Sequence, residues 1–86
     1  MVFVALTRVG FDGLVSLLGC VPSPLWVNAN VLSAQEIANF RSEGVEVTNF
    51  TYFIPVEDEN AIASAVATVA EHYPHKTIWV EHAPGL

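Results

Sequence analysis

The sequence predicts one α/β domain over residues 1–86, a small, open, mostly parallel four-stranded sheet with the element order β-α-β-α-β-α-β. Three observations carry this reading. Four short runs, "VFVALT", "LWVNAN", "VEVTNFTYF" and "KTIWVEH", have the length and the β-branched, aromatic composition of strands. Between each consecutive pair lies a segment whose apolar residues recur at helical spacing, and a helix joining two strands favours parallel pairing through a right-handed crossover. No internal repeat, low-complexity tract or linker divides the chain.

The first run, Val2 to Thr7, is apolar almost throughout, as a strand buried on both faces must be, and belongs inside the sheet. Phe11, Leu14, Val15 and Leu18 then mark a short first helix, with Asp12 as its expected N-cap and Gly19 as its stop. "VPSP" (Val21 to Pro24) breaks the chain, because proline lacks an amide donor and extends its predecessor. Leu25 to Asn30 form the second strand. Ser33, followed three residues later by Glu36, makes a capping box for a second helix that carries Ile37 and Phe40 on one face and ends at Gly44. The third strand, Val45 to Phe53, begins with Val45 and Val47 alternating against Glu46 and Thr48, so one face of it meets solvent. Glu57, Asp58 and Glu59 then open a third helix, where carboxylates complement the helix dipole. This helix runs from Glu59 to His72, with Ile62, Val66 and Val69 spaced along an otherwise alanine-rich surface. Lys76 to His82 form the fourth strand.

Strand order 3-2-1-4 places the apolar first strand inside and the partly polar third strand at an edge, whereas 2-1-3-4 would bury Glu46 and Thr48; the former is favoured. In this Rossmann-like arrangement the first two helices share one face and the third lies alone on the other. One face is then only half covered, which points to a homodimer that buries the exposed sheet or the third helix.

Composition narrows the functional classes. Hydrophobic residues make up 52% and charged residues 14%, an apolar surplus over the roughly 45–50% and about 25% of ordinary soluble domains, and part of that surplus suits a partner. The net charge of −6 has the wrong sign for neutralising nucleic-acid phosphates. No run approaches the roughly 20 apolar residues of a membrane span, and "MVFVAL" has neither the basic start nor the small-residue site of a secretory signal, so a cytoplasmic, membrane-free location is expected. The single cysteine, Cys20, excludes an intrachain disulfide and a thiolate zinc site, and is expected to be a buried or half-buried thiol.

Ligands of open α/β sheets bind beyond the carboxyl ends of the strands, where strand order reverses. That rule selects Arg8, Asp12, Asn28, Asn30, Glu81 and His82 as candidate ligand-binding residues. Arg8 and the first helix's amides suit an anionic small molecule, and the Glu81-His82 pair suits acid/base work. Alternation sets Glu81 on the side of Trp79 and His82 on the side of Val80, which divides that pair. "TRVGFDG" has neither dinucleotide-fingerprint nor P-loop spacing, no G-x-S-x-G is present, and no strand ends in a phosphoacceptor aspartate. His72 and His75 lie roughly 20 Å from His82 along the fourth strand, too far for a shared site in one subunit. No cofactor or metal is expected. Trp26, Phe50, Tyr52, Phe53 and Trp79 concentrate on strands, and exposed aromatics favour interfaces. The sequence therefore points away from an enzyme and toward a small acidic module that binds a protein or itself. The alternatives are a small enzyme or binding protein for an anionic molecule, and an acidic inhibitor or immunity-type protein.

Overall fold

A computed structural model describes residues 1–81. Its elements are β1 (Val2–Ala5), α1 (Arg8–Leu18), β2 (Leu25–Val27), α2 (Ala34–Ser42), β3 (Val47–Asn49), α3 (Glu59–His72) and β4 (Ile78–Val80). The sheet is all parallel in the order β3-β2-β1-β4, so the favoured topology holds and the polar-faced third strand is an edge. Each strand is shorter than its apolar run, and after β1 and β2 side-chain bonds take over from the backbone ladder. At the end of β2, for example, Asn28 N–H still donates to Ala5 O at 2.9 Å, and the Asn28 side chain takes over from there.

Pleating divides the core into two layers. Phe11, Leu25, Val27, Val31, Leu32, Ile37 and Val47 pack on the face covered by α1 and α2. Val2, Val4, Leu6, Trp26, Phe50, Ile54, Ala65 and Val69 pack on the face covered by α3 alone. Burying one such aliphatic or aromatic side chain stabilises by about 1.5–3 kcal/mol, and β1 and β2 contribute to both layers. Tyr73, at the end of α3, donates its hydroxyl to the Glu46 carboxylate, which raises the phenol's pKa above its ordinary value.

Two expectations are corrected. The N-cap of α1 is Thr7, not Asp12: Thr7 has extended geometry (φ −136°, ψ 161°) and its Oγ1 accepts the Gly10 amide at 3.0 Å. The apolar pattern begins at Phe11, so it misses a first turn whose Val9 side chain is exposed. Cys20 is exposed rather than buried, since Gly19 ends α1 in the left-handed region (φ 76°) and turns the chain outward. The capping box of α2 is present as expected, and α3 takes Asp58 as its cap. Among the described residues, no helix is long and apolar enough to cross a membrane.

Candidate functional site

The carboxyl ends of β1, β2 and β4 converge on the N-terminus of α1. Glu81 lies on the side of Trp79, as alternation predicts; that side is the α1 face, and the Glu81 carboxylate turns inward onto the turn that follows β1. Oε1 accepts the amides of Leu6 and Thr7 at 2.8 and 2.9 Å, and Oε2 accepts the Thr7 hydroxyl at 2.5 Å. The same hydroxyl oxygen caps Gly10, so one relay joins Glu81, Thr7 and the helix start. A carboxylate there complements the positive end of the helix dipole. The turn can accept it only because residue 10 is glycine, as a Cβ at that position would collide with the Glu81 carboxylate.

Arg8 points the other way, toward α2. Its Nη1 donates to both Glu36 oxygens at 2.9 and 2.8 Å and to Val31 O at 3.3 Å, and Nε donates to Asp12 at 3.2 Å. The Glu36 bond holds the guanidinium pKa above its ordinary value. The Ser33 amide first, then Arg8, holds Glu36 below the usual carboxylate range. Glu36 was singled out only as a capping-box residue. Its position at the start of α2, beside the start of α1, is the signal that could have identified it as the partner of Arg8.

Asn28 is fully buried, and both ends of its amide are occupied. Nδ2 donates to Leu6 O at 3.0 Å and Ile54 O at 2.7 Å, while Oδ1 accepts Ala29 N and Ile54 N, each at 2.8 Å. Asn30 is exposed in a left-handed turn (φ 70°). The structure thus brings Arg8 and Asp12 together, sets Glu81 on the opposite side of the α1 start, and commits Asn28 to the framework. His82 lies outside the described residues. Among the described residues, no three His, Cys, Asp or Glu side chains gather as a metal site.

What stays open is apolar. On the α1 face α1 stands over the inner strands, leaving a groove of about 460 Å³ between it and β4. Its walls are Met1, Phe3, Leu14, Leu17, Leu18 and Trp79, with Gly10 and Gly13 letting the groove reach the helix backbone. The Trp79 indole N–H donates to Met1 Sδ at 2.9 Å, which fixes the ring along the outer wall. Of the five aromatics noted on or after the strands, Trp26 and Phe50 are core residues, whereas Tyr52, Phe53 and Trp79 are exposed. Comparison with protein-family models, with curated proteins and with solved structures finds no match.

Proposed function

We propose that the protein is an interaction module that works through protein contact, by self-association or by binding a protein partner, at the α1/β4 surface. The observation that carries this is the division of labour around α1. The polar groups that could receive a small anion are bonded to one another, while the apolar groove beside them is open. Arg8, the cation that an anionic ligand would need, already holds two carboxylates. From Gly13 to Gln35 the chain carries no charged residue, so α1 beyond Arg8 and Asp12 is uncharged in a protein of net charge −6. Such a patch, rimmed by charge, is characteristic of an interface.

The test is a photo-crosslinking benzophenone amino acid placed at Leu17 in the full chain, inside producing cells, with the same group at Ala63 on α3 as a control. The expected result is a discrete covalent adduct from position 17 and none from position 63. No adduct from position 17 refutes the reading. Chemical-shift changes at Arg8 with millimolar phosphate or carboxylate would favour the anionic-ligand alternative instead.

A further inference from the structure

The two edges of the sheet differ in how far they are blocked. At the β3 edge the outward carbonyl of Val47 is already filled, accepting Arg41 Nε and Nη2 at 3.2 and 2.9 Å. At the β4 edge, bonds from Val2 N to Thr77 O and from Glu81 N to Val4 O turn Thr77, Trp79 and Glu81 toward β1. By alternation, the N–H and C=O groups of Ile78 and Val80 then point outward. Among the described residues nothing bonds them. Residues 77–80 contain no proline, no lysine and no acid, the usual means by which natural edges prevent pairing.

We infer that this surface joins two copies of the chain: β4 pairs antiparallel with β4 of a second copy, centred on Trp79, giving a continuous eight-stranded sheet. The inference rests on the interaction reading above. A two-fold axis normal to the sheet at Trp79 sets Ile78 against Val80 of the second copy and Val80 against its Ile78. This register satisfies every outward group of both residues. Trp79 then lies opposite Trp79 of the second copy in a non-hydrogen-bonded pair, about 4.5 Å between Cα atoms, with both rings on the α1 side. The two grooves then lie side by side between the two α1 helices, with the paired indoles as the wall they share.

Charge and area both fit a second copy. The register sets Glu81 against Thr77, so no acid faces an acid although each chain carries −6. Met1, Leu17, Leu18 and Trp79 are 66%, 83%, 43% and 55% exposed, roughly 500 Å² of side chain per copy at about 200 Å² for each large residue. Doubled, and with the paired backbone added, full burial of this surface reaches the roughly 1,000 Å² expected of a biological interface.

The test is sedimentation equilibrium of the full chain up to about 500 μM, with amide exchange at high and low concentration. The expected result is a monomer–dimer equilibrium, with Ile78 and Val80 amides protected only at high concentration. Trp79→Glu should weaken the dimer at least tenfold while keeping the wild-type circular dichroism. As a second measurement, Trp79→Cys in a Cys20→Ser background should oxidise to a covalent dimer much faster than Asn49→Cys on the β3 edge. A monomer at the highest concentration, or a dimer that leaves Ile78 and Val80 unprotected and survives Trp79→Glu, overturns the β4 pairing. Neither result touches the interaction reading if the Leu17 crosslinker still yields an adduct with another protein; that reading fails only with the loss of all adducts.

Discussion

Replacing Asn28 with alanine should remove a large share of the protein's stability. The side chain is fully buried and makes four hydrogen bonds: two donated, to Leu6 O and Ile54 O, and two accepted, from Ala29 N and Ile54 N. Its amide meets Ile54 as a strand backbone would, both donating and accepting, and so ties the segment after β3 to the ends of β1 and β2. A typical hydrogen bond contributes about 0.5–1.5 kcal/mol net, and each buried group left without a partner costs about 1–3 kcal/mol. Alanine orphans backbone groups on three residues, some of which water will reach, so the expected loss is about 3–5 kcal/mol. A chain of 86 residues is stable by roughly 4–13 kcal/mol, so the loss is a large share of the total. Urea unfolding followed by tryptophan fluorescence and far-ultraviolet circular dichroism measures it. A loss below about 1.5 kcal/mol with an unchanged m-value would show that the four bonds are dispensable and refute the reasoning. Asn28→Asp is a useful companion: its ionised carboxylate keeps the acceptors, loses both donors and faces two carbonyl oxygens. It should destabilise at neutral pH and recover part of the loss as acid protonates it.

Other outcomes follow from the same geometry. Gly10→Ala, which in an exposed helix would stabilise by about 1 kcal/mol, should here lower the melting temperature, because the new methyl displaces the Glu81 carboxylate. A higher melting temperature would show that Glu81 is not held where its three bonds place it. Glu36 has a depressed pKa in the folded protein, so its contribution is present above the unfolded value of about 4.3 and is lost as pH falls through the lower folded value. The difference in melting temperature between wild type and Glu36→Gln should therefore be constant near neutrality and shrink in acid; a pH-independent difference contradicts the assignment. Arg41→Ala should free the Val47 carbonyl and unblock the β3 edge, producing concentration-dependent oligomers larger than a dimer in light scattering. No change in mass distribution would mean that the Arg41 bonds do not guard the edge.

Much of the architecture was legible because it depends on local pattern. The uninterrupted apolar run of residues 2–6 needs cover on both faces, and the alternation of Glu46 and Thr48 with valines needs water on one, so the two strands could be assigned to the inside and to an edge. The same period-two reasoning placed Glu81 on the side of Trp79. The site was less legible because its side chains find partners by three-dimensional direction rather than by spacing. Arg8 bonds Asp12, four positions on, as spacing allows, but its second carboxylate, Glu36, is 28 positions away and is brought near only by the packing of α2 beside α1. Thr7 was missed as the cap because the first turn of α1 carries no buried residue. It is held by polar bonds, including those from Thr7 to a carboxylate 74 positions away. Asn28 read as a candidate ligand because a polar residue at a strand end is ambiguous until the later segment that covers it, here Ile54, is in place.

The Glu81 clasp also bears on the order in which the chain can assemble. The start of the first helix and the end of the first strand take their bonding partner from residue 81, and β1 takes one of its two neighbours from β4. Contacts of such sequence separation are slow to close and are made late. During synthesis, which supplies the chain from its N-terminus, the central strand and the first helix are made early yet lack this clasp until residue 81 has emerged. The central strand and the first helix thus stay unclasped until residue 81 has been made, and it is the edge strand β4 that then gives β1 its second neighbour.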